Sequence, residues 1–408
     1  EKIPSLIQQA KIMSQKYDVV CTNPPYMGIR NMNPKLYKKA NTMFPRTKYD
    51  LYSIFIDKCH ALTYKNRYMA LITQQSWLFL SSFERLRNHI INNYVIINMA
   101  HLGPRAFEEI GGEVVQSVAF IIKNTTMIDY RGKYIRLIQY KNALIKENEF
   151  FNKNNYFYCI QSDYMKIDGV PISYWIPTNV RHLFATQKSL GSIAKPRQGM
   201  KTSDNERFVR DWREVCFQKI GFGISSLEEA KCSGKKWFPY NKGGEHRRWY
   251  GNNEYLVNWE NNGAEVKAYA ASLYRSYTRT ITNIKYYFTK GITWSVISSS
   301  NSSFRYFGEG YVFSNSGQCL FPENEDNILY LLGLLNSKTT NYILLALSPT
   351  LGFESGYVAK IPIINFKKVG TDFERIKVIV EECIKISKTD WDSFETSWDF
   401  KKHPLLAH

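Results

Sequence analysis

The chain has 408 residues, and its 54 Lys and Arg against 36 Asp and Glu leave a formal net charge of +18. Hydrophobic residues at 44% and aromatics at 15% exclude a disordered or low-complexity polypeptide, and the length allows two to three domains. No apolar run approaches the roughly 18 residues of a membrane span, so no membrane association is expected. The amino end, Glu-Lys-Ile-Pro-Ser, has neither an initiator Met nor the charged and apolar regions of a secretory signal, and a fragment is expected. Seven cysteines without a C-x-x-C pair argue against a disulfide framework or thiolate zinc site and point to a reducing cytoplasm. No metal is expected.

The basicity is uneven. Residues 1–185 hold 24 basic and 13 acidic side chains (24 − 13 = +11), residues 186–310 hold 20 and 11 (+9), and residues 311–408 hold 10 and 12 (−2). An excess of this size implies a polyanionic partner. The densest run is Arg30, Lys35, Lys38, Lys39, Arg46 and Lys48, with no acid between Asp18 and Asp50; a second holds Lys195, Arg197, Lys201, Arg207, Arg210 and Arg213. Aromatic, Gly and Pro residues interrupt both, so they read as loops able to track phosphates.

In chain order, Tyr17 to Thr22 reads as a buried strand stopped by Asn23-Pro-Pro-Tyr26. Asp50 is the expected N-cap of a helix with Leu51, Ile54, Phe55, Cys59 and Leu62 at helical spacing, and Tyr68 to Thr73 is a second strand. Ser81 or Ser82 should cap a helix with Phe83, Leu86, Ile90 and Ile91 inward. Strands over Val95 to Ala100 and, after a Gly111-Gly112 turn, Val114 to Lys123 follow. The order implies an open α/β sheet, about half of a doubly wound domain, with its last strand antiparallel. Residues 126–185 read as a connecting segment. From 186 short strands, Gly turns and aromatics prevail, ending in helices over 327–336 and 340–347. A closing helix at 372–388 places Phe373, Ile376, Val380 and Ile384 on one face. The expected domains are therefore 1–125, 186–366 and a helical tail, 367–408.

Asn23-Pro24-Pro25-Tyr26 carries chemistry. Prolines donate no N–H and fix φ, so the Pro24 carbonyl can point outward as an unshared acceptor beside the Asn23 side-chain oxygen. Two acceptors next to an aromatic face suit a planar amide or amino group on a conjugated system. Taking both its N–H bonds favours a pyramidal nitrogen and localises the lone pair as a methyl group arrives, which is selective stabilisation of the transition state. Tyr26 would stack on the ring.

Residues 17–26, Tyr-Asp-Val-Val-Cys-Thr-Asn-Pro-Pro-Tyr, resemble the catalytic motif of the DNA adenine-N6 methyltransferases that use S-adenosylmethionine. The match continues through 48–55, 68–77, 102–107 and 112–115, and 334–337 with 356–363 resemble the end of a target-recognition domain. The ensemble is most similar to the PglX-type enzymes of BREX phage-defence systems, and also to methylase portions of fused restriction–modification enzymes. The resemblance implies a partial Rossmann-like, S-adenosylmethionine-dependent α/β sheet, then a mixed α/β target-recognition domain and a C-terminal helix. It implies that Asn23 and Pro24 accept the adenine amino protons, that Tyr26 and Phe107 stack on the flipped base, and that Phe55 belongs to the cofactor pocket. Cations of the 30–48 run, Arg30, Lys38 and Lys39 foremost, would hold phosphates while the base is unstacked. In the recognition region Lys201, Arg207, Arg210, Arg247 and Arg248 would meet phosphate or guanine, and Trp294 or Phe304 a groove or base.

The family's F-x-G-x-G cofactor turn has no counterpart in the 22 residues before Asn23. The chain alone is therefore expected neither to bind S-adenosylmethionine well nor to methylate. A half sheet would expose an edge and an apolar face, so a dimer, or partial disorder near residues 1–50, is expected. The implied partners are double-stranded DNA and other defence proteins. Two further readings are open: a non-catalytic DNA-specificity module, and a protein-glutamine methyltransferase, whose amide substrate suits the same two acceptors. A nuclease reading rests only on Glu265-Val-Lys267.

Overall fold

The computed structural model describes residues 3–107, 115–127, 129–298, 301–348, 352–363, 370 and 372–406. It divides into two compact units, Glu1–Ala185 and Thr186–His408. The Gly111-Gly112 turn lies outside the described residues.

The first unit is built on six strands: β1 (Tyr17–Thr22), β2 (Thr63–Gln74), β3 (Val95–Pro104), β4 (Gln116–Lys123), β5 (Arg131–Arg136) and β6 (Tyr156–Ile160), in the order β1-β2-β4-β3-β5-β6. β1 runs parallel to β2, and β3 to β5; β4 is antiparallel to both its neighbours, and β6 to β5. β1, β2, β3 and β5 therefore all point the same way and end at one edge. An antiparallel strand was expected, but β4 is inserted between β2 and β3 rather than placed at the end. The sheet also takes in β5 and β6. Residues 126–185, expected as a connector, thus belong to this unit; β5, Arg-Gly-Lys-Tyr-Ile-Arg, lacks a continuous apolar run, and β6, Tyr-Phe-Tyr-Cys-Ile, is a short one set among Asn, Lys and Tyr residues.

Helices α1 (Ile3–Ser14), α2 (Pro34–Met43), α3 (Leu51–Leu62) and α4 (Glu84–Asn93) accompany the sheet. α3 and α4 bury Tyr52, Ile56 and Cys59 with Leu86, Ile90 and Ile91 against Met69, Leu71, Met99, Phe120 and Ile122. The inward face of α3 thus runs through Tyr52 and Ile56; Ile54 turns to a small cluster with Met32 and Ala40, and Phe55 is half-exposed. Asp50 caps α3, as its sequence position implies, whereas α4 begins at Glu84 with Phe83 at its N-cap, after a 3₁₀ turn over Ser81–Phe83. The expected basic loop is partly helical. Asn33 accepts a bond from Leu36 N at 2.9 Å and Pro34 occupies the first turn, so Lys35, Lys38 and Lys39 ride on α2.

The second unit holds two four-stranded sheets, one ordered Val312–Phe313, Trp237–Asn241, Tyr255–Asn258, Val209–Asp211 and the other Phe304–Phe307, Gly291–Ser295, Gly317–Pro322, Ala194–Arg197. Helices Ile328–Leu335 and Lys338–Leu347 form where the sequence implies them. The closing helix, Asp372–Asp392, is no separate tail: Val380 is buried and Phe373, Ile376 and Ile384 pack beside it against Leu331, Leu332 and Leu335. The chain is thus the mixed α/β protein its sequence implies.

Candidate active site

β1 ends at Thr22, paired with Leu71, and the chain turns off at the carboxyl edge of the parallel strands, where open α/β sheets bind ligands. Pro24 is buried and anchors the turn, leaving Asn23 and Pro25 exposed. Tyr26 is half-buried; its ring meets Tyr52 edge-on, centroids 5.9 Å apart at 82°, and packs on the α3/α4 core. Its hydroxyl, shielded from solvent, lies beside that of Ser117 on β4 without a well-formed bond. Burial, and then the Asp50 charge, push the Tyr26 phenol above its ordinary range, so it stays neutral.

Asp50 fixes the backbone beyond Tyr26. Its Oδ1 accepts from Met27 N at 3.0 Å and from Tyr52 N at 3.3 Å, while Leu51 N donates to Met27 O at 2.9 Å and Ile29 N to Tyr49 O at 2.9 Å. One carboxylate therefore caps α3 and ties Met27 to that cap. Burial raises the Asp50 pKa even though backbone N–H bonds oppose it. Ser76 Oγ, just beyond β2, lies 2.7 Å from the Tyr52 hydroxyl.

Phe107 is half-buried three residues past the end of β3. β2 and β4 separate β1 from β3, about 14 Å at the usual strand spacing. Tyr26 crosses much of that gap, because its hydroxyl reaches Ser117 on β4, the neighbour of β3. Both aromatics thus leave the same edge.

A groove of about 570 Å³ adjoins Asn23 on the sheet face opposite α3 and α4, lined by Cys21, Ala70, Ile72, Ala119, Ile121 and Ile135 among others. Its lining includes no carboxylate; the one charged group is Lys133, whose Nζ sits 3.8 Å over the Tyr156 ring. Phe55 does not line it. Ribose hydroxyls and an ammonium group call for anionic acceptors, so these residues do not fit a complete S-adenosylmethionine site.

Arg30, Lys35, Lys38 and Lys39 are exposed and have no ion-pair partner among the described residues. Arg46 is held by Asp57 at 3.1 Å. In the second unit most expected contacts are otherwise engaged. Arg207 pairs with Glu265 at 2.8 Å, Arg247 with Asp390 at 2.8 Å, and Arg210 donates to Val209 O at 2.7 Å over the Trp237 ring. Glu265, of the E-x-K triplet, is thereby committed to Arg207 and Asn258. Arg248 is half-buried, with its Nε unpartnered. Trp294 and Phe304, expected to meet a groove or base, are instead fully buried, and Trp294 Nε1 donates to Phe353 O at 2.6 Å, so neither is free to meet DNA. Lys201 is exposed and lines a polar cavity of about 320 Å³ with Ser203, Lys242 and Asn315. Among the described residues no cluster of three His, Cys, Asp or Glu could hold a metal, and no helix is long and apolar enough to cross a membrane.

Sequence reasoning missed a polar network at the same edge, in which buried His101 joins Tyr174, Gln75 and Gln116. Its members lie far apart along the chain, and no spacing signals it.

Residues 5–107 match the Eco57I restriction-modification methylase family. Along its whole length the chain is 39% identical to the adenine-specific methyltransferase BrxX of Escherichia coli O9:H4 (strain HS) and 38% identical to the adenine-specific methyltransferase PglX of Lacticaseibacillus casei (strain Zhang). It spans about a third of each relative, 32% and 34%. In fold it is similar to the Type IIL restriction-modification enzyme MmeI in complex with DNA, at a TM-score of 0.59 and 13% identity over 95% of this chain and 52% of that one. A nuclease-deletion mutant of the Type ISP enzyme LlaGI, in complex with a DNA substrate mimic, gives 0.53 and 12% over 93% and 36%. Over its full length, then, the chain is similar in sequence to a third of the BrxX and PglX adenine-specific methyltransferases, and its Asn-Pro-Pro-Tyr turn stands at the carboxyl edge of its sheet.

Proposed function

We propose that the chain supplies the amine-binding part of the active site, and the DNA-reading part, of an adenine-N6 DNA methyltransferase in phage defence or restriction–modification. The observation that carries this is the exposed Asn23 beside buried Pro24 at the end of parallel strand β1, with Tyr26 packed next to them. Asn23 Oδ1 and the Pro24 carbonyl take the two amino hydrogens of an extruded adenine, while Tyr26, and Phe107 from the exit of β3, stack on its ring. Holding the amine by both hydrogens exposes its lone pair for attack on a methyl group. S-adenosylmethionine, proposed from the family likeness, is the methyl source. Arg30, Lys38 and Lys39 bear on the phosphates around the extruded base, and the second unit, through Lys201 and Arg248, on flanking sequence.

The test is transfer of labelled methyl groups to duplex DNA by the longest natural polypeptide carrying this sequence, with its associated proteins added. Asn23→Ala should lower kcat by about 100-fold or more, the scale of losing one oriented acceptor. Tyr26→Ala should weaken capture of the extruded base. Unlabelled adenine across varied duplexes and partners, or full activity in Asn23→Ala, would refute the assignment.

A further inference from the structure

The amine-binding residues leave one part of the edge unexplained. His101, on β3, is fully buried and both ring nitrogens are engaged: Nδ1 lies 2.9 Å from the Tyr174 hydroxyl, and Nε2 meets Gln75 Oε1. Gln75 Nε2 in turn meets Gln116 Oε1. A carbonyl oxygen only accepts, so His101 carries its hydrogen on Nε2, and the bare Nδ1 takes the phenol hydrogen of Tyr174. Donation therefore runs one way, from Tyr174 to His101 to Gln75 to Gln116. Turning the last amide alone would bring two NH₂ groups face to face, and reversing the whole order would leave the hydroxyl hydrogen of buried Tyr174 with no acceptor among the described residues. The Gln116 side-chain oxygen is committed inward and the amide's two N–H groups are left over.

Gln116 is the half-exposed end of this chain. It opens β4 opposite Pro104, the last residue of β3, and adjoins Ser117, against which the Tyr26 hydroxyl lies. Gln75 adjoins Ser76, whose hydroxyl meets that of Tyr52, the ring against Tyr26. No described residue accepts from the Gln116 amide nitrogen.

Asn23 and Pro24 only accept, and they would take the amino group of any base that bears one. Adenine offers ring nitrogens as acceptors on either side of that group; guanine offers a ring N–H on one side and a ring nitrogen on the other. An amide locked as a donor pairs with adenine on whichever side it meets the ring, but is opposed by guanine's N–H on one of the two. We propose that Gln116 recognises the extruded adenine by donating from Nε2 to a ring nitrogen, with Gln75, His101 and Tyr174 as positioning residues. This rests on the adenine reading above.

The experiment uses the longest natural polypeptide carrying this sequence and duplexes whose target adenine is replaced by its 1-deaza, 3-deaza or 7-deaza analogue. Each keeps the amino group and loses one ring acceptor. The wild type should lose about 10-fold in kcat/KM on one analogue, the scale of one hydrogen bond. Gln116→Leu should lose a similar factor on natural adenine and treat that analogue and adenine alike. Comparing variant with wild type cancels any change in amine reactivity. His101→Phe, which frees the amide to turn, should also shrink the discrimination; a purely structural role would leave it intact. The inference is overturned if the wild type treats all three analogues as adenine, an arm that needs no variant to fold, or if Gln116→Leu keeps the discrimination. Absent methylation of natural adenine by the wild type, or an active Asn23→Ala, would instead bring down the amine assignment and this inference with it.

Discussion

Replacing His101 should change how the first unit responds to acid. Burial holds this imidazole neutral, its pKa pushed down to about 3 from an ordinary 6.5, with Arg136 and Lys146 opposing its charge further. The unfolded chain takes up a proton below about pH 6.5 while the folded chain does not until about pH 3. More protons are thus bound by the unfolded state, and the contribution of His101 to stability, whole above pH 6.5, is lost as pH falls. Each unit of pH inside that window costs about 1.4 kcal/mol, so moving from pH 7.5 to 4.5 removes about 2.7 kcal/mol. His101→Phe does not titrate, but it strands the Gln75 oxygen and the Tyr174 hydroxyl, costing about 1–3 kcal/mol at every pH. The wild type should therefore be the more stable protein at pH 7.5, and the gap should close or reverse by pH 4.5. Burial lowers the His60 and His89 pKa values as well, and their effect cancels between the two proteins. Because the chain has two units, the measurement has to be local: urea-dependent hydrogen exchange of peptides 95–104 and 116–123, which report β3 and β4. A gap that stays constant between pH 7.5 and 4.5 would refute the argument.

Two further substitutions probe the frame of the site. Arg87 on α4 is 1% exposed and donates to four backbone carbonyls, from Nε to Gly169 and Val170 at 3.1 and 3.0 Å and from Nη1 to Trp77 and Leu80 at 2.8 and 2.7 Å. Arg87→Met should cost about 3 kcal/mol, with exchange protection lost at 77–80 and 169–172; Arg87→Lys should recover little, because one ammonium does not span four carbonyls. Asp50→Ala removes the cap of α3 together with the bond to Met27 N and should cost about 1–2 kcal/mol in urea unfolding of the first unit. Through the loosened Tyr26 segment it should lower methylation kcat more than it raises KM, and Asp50→Asn should restore most of both.

How far the sequence reveals this molecule depends on the range of the forces involved. β1 to β4 and the inward residues of α4 are legible because continuous or periodic apolar residues mark them locally. The insertion of β4 between β2 and β3 is not, since register is settled by pairs such as Ala70 with Ile121 and Met99 with Phe120, which contact only after folding. α2 carries its own start signal in Asn33-Pro34, outweighed in the sequence by the Gly, Pro and aromatic residues around it. Asn-Pro-Pro-Tyr is readable as chemistry because two prolines fix a backbone carbonyl without help from elsewhere. The Gln75–His101–Gln116 network is the opposite case: its bonds join residues 26 and 41 positions apart, and each residue alone is ordinary.

The charge of +18 shows the same limit from another side. Counting assigns the second unit's segment 186–310 nearly as large a basic excess as the first unit. Yet Lys195, Arg207, Arg213 and Arg247 each face a carboxylate within 2.8 Å, and two of those acids, Glu265 and Asp390, lie 58 and 143 residues away from the arginine they hold. An exposed pair is worth less than about 1 kcal/mol, so a phosphate can still compete for such an arginine, but only by displacing its partner. Arg30, Lys35, Lys38 and Lys39 have no such partner among the described residues and come directly after Asn23-Pro-Pro-Tyr26. Cations free to take a phosphate without displacing a carboxylate therefore stand in the stretch just past the Asn-Pro-Pro-Tyr turn, which under the proposed function is where an enzyme that extrudes a base has to hold the distorted backbone.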